Sequence, residues 1–503
     1  MESIVKQKYL NMKKNLFLSF ALAASLFVSA QQKNTLLEAS FWKTAPDVTT
    51  VQSEIAKGNS PSEANANAFD VTTLAINNDA PLTTIKFLLE QPGNPLNKMT
   101  HDNRIYLHWA AYRGNVDLTQ YLITKGSDVN LEDSHGTTPL AFAAANGQTN
   151  PALYEIFFKA GIDPKKKYND GANLLLMAIP ADKDLVLTDY LITKGLSLKD
   201  VDNNGSTAFD YASRTGNITL LKKLLDKKVK YTDNALLIAS QGNRRETTSL
   251  DAYKFLVEEV KIKATATNKS GENVLHFLAT KPNQKDIIAY FLTKGVDVNK
   301  ANNEGNTPFM LAAGARENGA LEQLLATAKN INLQNTKGES ALTIAVKSGT
   351  PEAVSALLTK GADVKVIDKD GNNLGVYLVQ SFRPGPKQES FDAKVKLLQE
   401  KGLDLAAAQK DGSTLYHFAV AKNELSLLKK LADLKIDVNA KNKDGMTALH
   451  KAAMIAKDDA ILKYLISIGA KKDITTEFDE SAYALAKENE SLTKQNISIE
   501  FLK

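Results

Sequence analysis

Residues 107–130 read LHWAAYRGNVDLTQYLITKGSDVN. The stretch holds two short apolar pieces, each closed by a glycine. Leu107-His108-Trp109-Ala110-Ala111 is compact and alanine-rich, and alanine both favours helix and lets neighbouring backbones approach closely. Gly114-Asn115-Val116 then turns the chain. A second helix follows, with Tyr121-Leu122 as its apolar pair and Lys125-Gly126 at its end, where glycine takes the left-handed C-cap and lysine meets the negative helix terminus. One such helix pair cannot bury its own apolar face, so the stretch predicts neighbours of the same kind.

Outward from that stretch the neighbours are found. A turn glycine stands at Gly136, Gly171, Gly205, Gly271, Gly305, Gly338, Gly371, Gly412 and Gly445, in steps of 35, 34, 66, 34, 33, 33, 41 and 33 residues. The step of 66 is two periods, with a degenerate unit at Thr232 to Val260 whose turn lacks the glycine. After the turn Asp133-Ser134-His135-Gly136 come Thr138 and Pro139, and proline suits a first helical turn because its missing N–H would be unpaired there anyway. The apolar pair recurs as Tyr190-Leu191, Leu357-Leu358 and Leu397-Leu398, and the Lys-Gly end as Lys194-Gly195, Lys294-Gly295, Lys360-Gly361 and Lys401-Gly402.

These residues resemble the ankyrin repeat. The match is fullest over Leu107 to Asn130, followed by Gly305-Asn306-Thr307-Pro308 and by Gly445-Met446-Thr447-Ala448-Leu449-His450-Lys451-Ala452-Ala453. The resemblance implies an all-α solenoid of roughly 13–14 helix-turn-helix units with projecting hairpin turns and a concave groove. The array is expected to run over 31–503, with 31–64 (containing Phe41 and Trp42) and 475–503 (containing Asn489 and Glu490) as atypical units that cap the ends. The step of 41 carries an inserted proline-rich loop, 380–390, and a smaller insertion lies at Gln241 to Ser249. Such insertions are tolerated surface loops or binding elements.

Composition narrows the function. With 43% hydrophobic and 24% charged residues among 503, the chain has the make-up of a globular protein. At the N-terminus Lys13 and Lys14 precede an apolar run from Leu16 to Val28, and Val28-Ser29-Ala30 offers the small residues of a cleavage site. The pattern predicts a signal peptide over 1–30, with Met12 as an alternative start, and export to the periplasm or the exterior. The alternative is a short hydrophobic helix of a cytosolic protein. No later apolar stretch approaches the ~18 residues of a membrane span. The first 30 residues hold four lysines and one glutamate, so their loss lowers the net charge from +5 to +2. That near-neutral remainder, in which arginine supplies only seven of the 62 cations of the whole chain, argues against a nucleic-acid partner. Cysteine is absent, which excludes disulfides, thiol catalysis and zinc-thiolate sites.

Little in the chain points to chemistry. His108, His276, His417 and His450 share one slot of the repeat, where the resemblance implies hydrogen bonds that tie a helix start to adjacent turns. His101 and His135 sit in turns. Asp200-Val201-Asp202-Asn203-Asn204-Gly205 imitates the first half of a calcium loop, but Tyr211 stands where the bidentate glutamate belongs. No nucleophile elbow, phosphate loop, zinc helix or dinucleotide fingerprint is found, so neither an enzyme nor a bound cofactor is expected. Trp109, Phe142, Met177, Tyr211, Phe277, Leu311, Tyr377 and Phe418 form a stripe after the histidine slot and read as framework packing.

What remains is surface. By the resemblance, partner contacts fall on hairpin tips and just after the alanine pair of the first helix: Tyr112, Arg113, Ser134, His135 and Thr137; Asn203, Asn204 and Arg214; Asn303 and Glu304; Lys337 and Glu339. Tyr112 and Arg113 are the best anchors, because aromatics and arginine dominate interface energetics. The expected function is a non-catalytic, monomeric scaffold of the cell envelope that binds a protein partner in the groove. Exported bacterial members of the family that support an envelope enzyme, such as a periplasmic catalase, suggest the kind of partner. Two alternatives stay open: a small-ligand or ion binder using the Pro-Gly loop or the Asp200 turn, and a secreted effector acting on foreign proteins.

Overall fold

The computed structural model describes residues 33–242, 248–385 and 388–503. The expected signal peptide and Met12 lie outside the described residues, as do positions 31–32 of the N-terminal cap, 243–247 of the smaller insertion and 386–387 of the larger one. Among the described residues no helix is long and apolar enough to cross a membrane, and β-pairing is confined to isolated bridges at hairpin bases, such as Val201–Thr207 and Gln334–Ser340.

Among the described residues fourteen helix pairs follow one another, and the chain divides into two compact units, one ending at Ala208 and the other beginning at Phe209. In the first unit the pairs include Val71–Asn77 with Leu82–Leu89, Tyr106–Arg113 with Val116–Thr124, and Pro139–Ala145 with Pro151–Lys159. The sequence signals set these bounds. Gly114 closes Tyr106–Arg113 in the left-handed conformation, the Asn115 side chain accepts from Leu118 N–H to open the next helix, and Pro139 occupies a first helical turn. Ala110, Ala111, Ala143 and Ala144 are fully buried, as are Leu118 and Leu122 on the second helix, so each repeat's small face packs against its neighbour. At the N-terminal end Trp42 is buried and donates from Nε1 to Leu36 O at 2.8 Å.

The second unit begins at Phe209, within the helix Ala208–Ala212 that pairs with Ile218–Asp226, and runs to the pair Ala482–Glu488 and Glu490–Lys494. Its degenerate repeat forms Asn234–Gln241 and Leu250–Lys254, the latter continuing as a π-helical segment, Phe255–Glu259, and Lys261 takes the positive φ where other repeats have glycine. The insertion lengthens a second helix to 13 residues, Gln388–Glu400, and anchors itself by Phe382, whose ring packs edge-on against Phe391 at 5.3 Å. Eight residues before the glycine that ends the second helix (Gly295, Gly361 and Gly469), repeats of this unit bury Ile287, Ala353 and Ile461. The lengthened helix instead buries Lys394, 3% exposed, whose Nζ donates to Val346 O at 2.9 Å. At the C-terminal end Asn489 Nδ2 donates to Ala453 O and Ala456 O, closing Ala448–Ile455, the first helix of the preceding repeat.

Backbone bonds join successive tips. Ser134 N–H donates to Asp102 O, and Asn203 N–H to Asp170 O, in the first unit; Asn303 to Ser270, Thr336 to Glu304, Lys369 to Lys337 and Lys443 to Asp411 follow in the second, at 2.7–3.0 Å. The approach is close enough to explain the turn glycine: at Gly338, φ is 82° and a Cβ would stand 2.7 Å from Lys369 N. Each of these tips is therefore fixed by its neighbour.

The four slot histidines also tie repeats together. Each Nδ1 accepts from its own helix start: Ile105, Asn273, Thr414 and Thr447 N–H donate to His108, His276, His417 and His450. Each Nε2 faces a carbonyl of the next turn, at Thr137, Asn306, Met446 and Ile474 respectively. Both ring nitrogens are used by the neutral imidazole, and burial lowers the pKa of all four, that of His108 to about 4.

Candidate interaction face

In the first unit the tips and the ends of the first helices gather a cluster of rings. Tyr112 lies on the last turn of Tyr106–Arg113, 5.5 Å from Phe142 and 6.5 Å from Trp109. Trp109 is 5.8 Å from Phe142 and 5.4 Å from Phe69, and Phe69 stacks on His101 at 4.5 Å. Trp109 is the buried floor, held by its Nε1 donating to Thr100 Oγ1 at 2.9 Å. Phe69, Tyr112 and Phe142 are half-buried and present part of their rings to solvent.

A charged network frames the rings. The Arg104 guanidinium lies 4.2 Å from the Phe142 centroid, and donates to Asp133 Oδ2 at 2.8 Å and Asp102 Oδ2 at 3.0 Å. His101 Nε2 and His135 Nε2 each stand 3.4 Å from the same Asp102 oxygen. Burial pushes the Asp102 carboxyl up, but the charges of His101 and Arg104 and hydrogen bonds from His135 and Arg104 override it and hold it below the usual range. Chemically the face offers aromatic area, aligned tip groups and paired charge, a surface suited to non-covalent docking.

The expected site residues divide between the two units. In the first, Arg113 is exposed but pairs with Asp79 of the preceding repeat through Nε and Nη2, so a partner meets an ion pair there. Ser134 and His135 are exposed on their tip, while Thr137 is half-buried, its N–H donating to Asp133 Oδ1 and its carbonyl facing His108. Asn203 and Asn204 are exposed, with Asn204 N–H donating to Asp202 Oδ1.

In the second unit Asn303, Glu304 and Lys337 are exposed on tips. Glu339 turns back into its tip, accepting from Asn335 Nδ2 at 2.9 Å and pairing with Lys347. Arg214 is half-buried, and burial lowers the pKa of its guanidinium. Inward orientation, invisible in the repeat alignment, thus sets Glu339 and Arg214 back from the face.

Two departures separate the structure from the sequence reading. The stripe read as framework is largely half-exposed: Phe142, Met177, Tyr211, Phe277, Leu311 and Phe418 are half-buried, and only Trp109 and Tyr377 are buried. The slot follows the buried histidine by one helical step, which rotates it about 100° toward the open side. Phe69 was missed altogether; its signal is an aromatic directly before Asp70, which opens its helix by accepting from Thr73 N–H. The calcium-like turn spends its carboxylates on the protein: Asp202 Oδ1 accepts from Asn204 and Ser206 N–H, and Asp200 Oδ2 from Asn173 Nδ2 and Ser197 N–H. A cleft of about 470 Å³ lies away from the tips, where Phe391, Val395 and Leu434 form an apolar floor beside the Asp392–Lys430 ion pair.

A family model of ankyrin repeats in three copies matches residues 73–166, 236–335 and 314–381, and one of ankyrin repeats in many copies matches 416–466; together they span more than half of the chain. Among curated proteins, the chain is 23% identical over 416 residues to the human transient receptor potential cation channel subfamily A member 1, covering 77% of this chain and 35% of the channel. It is 29% identical over 203 residues to the mouse B-cell lymphoma 3 protein homolog, covering 39% of this chain and 42% of that protein. The chain thus spans less than half the length of either relative. Among solved structures, the ankyrin repeat domain of Bcl-3 matches with 22% identity and a TM-score of 0.35, over 45% of this chain and 100% of that domain.

Proposed function

This chain belongs to the ankyrin repeat family, and on that premise we propose that it is a non-catalytic scaffold, exported to the cell envelope, that holds a protein partner on its tip-and-first-helix face. The observation that carries the reading is the ring cluster of Phe69, Trp109, Tyr112 and Phe142, exposed at its rim on a framework whose tips are bonded to one another. Rigid aromatic area of that kind loses little conformational entropy on binding, and rings of this type are frequent interface anchors. Export is supported by Lys13-Lys14, the apolar run Leu16 to Val28 and the small residues at Val28-Ser29-Ala30. An envelope enzyme is the partner class proposed, bound and stabilised by mass action without being transformed.

The test is crosslinking and affinity purification from the native envelope fraction, wild type against Tyr112→Ala/Arg113→Ala. One stoichiometric protein should be recovered with wild type and lost with the double variant, since anchors of this type cost about 2 kcal/mol or more when truncated. Recovery of the same protein by the double variant would move the site elsewhere. No enrichment in the envelope or the medium would remove the scaffold reading.

A further inference from the structure

Within the second unit, the residue just before each tip glycine is Ser270, Glu304, Lys337, Asp370, Asp411 or Asp444, polar every time. At the last tip, Thr476-Glu477-Phe478-Asp479, the same slot holds Phe478, with 82% of its surface exposed. The tip is built like the others. Thr476 Oγ1 accepts from Phe478 and Glu480 N–H as Asn302 Oδ1 accepts from Glu304 and Asn306 N–H, and Asp479 takes the positive φ of the glycine. Packing does not ask for an aromatic in this slot, because the other repeats fill it with polar side chains.

The surroundings are acidic. Glu477 and Asp479 flank the ring and are exposed, and Asp444 is exposed on the preceding tip, whose Gly445 would place a Cβ 2.7 Å from Glu477 N. Among the described residues none of these three carboxylates forms an ion pair, and the exposed cations of the two hairpins are Lys441 and Lys443, which leaves three negative charges against two positive. An acidic partner would meet like charge here. A basic one would meet carboxylates with no existing ion pair to break.

We propose that this last tip docks a basic protein segment that lays an apolar side chain on Phe478 and lysines or arginines on Asp444, Glu477 and Asp479. The assignment rests on the scaffold reading above and adds the chemistry of one partner contact. An exposed ring also receives an arginine or lysine stem through its face, so charge and apolar contact act on the same residues.

The experiment uses the chain from residue 31 onward and three fluorescein-labelled peptides of equal length: leucine and lysine at helical spacing, leucine and glutamate in the same order, and serine and lysine. Fluorescence anisotropy at low salt should give the leucine-lysine peptide at least a tenfold tighter Kd than the other two. Phe478→Ser should weaken it at least tenfold, and Glu477→Gln/Asp479→Asn should weaken it about fivefold and flatten its salt dependence. Phe478 is exposed, so the variant keeps its melting curve, and Asp370→Asn on another tip should leave binding unchanged. Binding that survives Phe478→Ser, or a leucine-glutamate peptide that binds as tightly, overturns the proposal, as does absence of binding by the leucine-lysine peptide. If an envelope protein is captured through Tyr112 and Arg113 while these peptides fail, this assignment falls and the scaffold reading stands.

Discussion

Lowering the pH from 7 to 5 should loosen the repeat around His108. The imidazole is fully buried, its Nε2 3.0 Å from Thr137 O and its Nδ1 3.3 Å from Ile105 N–H. A proton added to Nδ1 would confront that N–H donor. Burial pushes the group from 6.5 to about 4, against the opposing pull of the Thr137 carbonyl and Asp133 and with the help of the Arg104 charge. Because the folded value lies below the unfolded one, the unfolded chain binds more protons between these two pH values, so stability is fully present above 6.5 and falls as pH falls toward 4. At about 1.4 kcal/mol per unit, the linkage gives a loss of about 2 kcal/mol at pH 5 and about 3 kcal/mol by pH 4. A repeat array opens locally, so the measurement should be local too: native-state hydrogen exchange of the amides in Tyr106–Arg113 and Val116–Thr124, corrected for intrinsic rate, at both pH values. His108→Gln should remove most of the difference. Equal opening free energies at pH 7 and 5, an imidazole that titrates near 6.5 by NMR, or an unchanged pH difference in the variant would each refute the reasoning.

Two further predictions concern the framework. Gly361→Ala, at φ 89° with nothing within 4 Å of the new Cβ, should cost only the backbone strain of about 1–2 kcal/mol, whereas Gly338→Ala must also push back the next tip and should cost at least ~1 kcal/mol more; equal shifts in urea midpoint would discount the tip contact. Burial pushes Lys394 down to about 8 from 10.5, so the unfolded chain binds more protons between these values and wild-type stability should rise as pH climbs through that window. Lys394→Met should abolish the rise and melt about 1 kcal/mol more stably at pH 7, and a variant that is less stable at pH 7 or keeps the rise would contradict it.

The fold was legible because the repeat states the same local physics many times. Gly114, Asn115 and Gly126 bound two helices by rules that need no tertiary information, and Pro139 marks a helix start in the same way. The histidine slot was legible for a related reason, since a buried polar group must be hydrogen-bonded and the family shows where. The face was read less well. Tyr112 and the tip residues follow from slot positions, but the slot does not say that Glu339 folds back onto Asn335, that Arg113 is already held by Asp79, or that Phe142 shows part of its ring. Those outcomes depend on the neighbouring repeat, whose side chains differ at the same slots.

A repeat protein nevertheless carries its own internal comparison. Every unit faces the same packing problem, so a slot filled alike throughout is answered by packing, and a lone exception is not. Lys394 is such an exception in a buried slot: apolar Ile287, Ala353 and Ile461 fill it in other repeats, and the lysine adds a charge whose Nζ reaches across to the Val346 carbonyl of the repeat before. It lies just beyond the insertion, where Phe382 and Phe391 hold the lengthened helix in place, so the stitch to the preceding repeat coincides with the point at which the period is interrupted. Phe478 is the exception in an exposed slot, and no contact inside the repeat accounts for it. The same test separates the two: a substitution at Lys394 should register in stability and leave docking alone, while one at Phe478 should register in docking and leave stability alone.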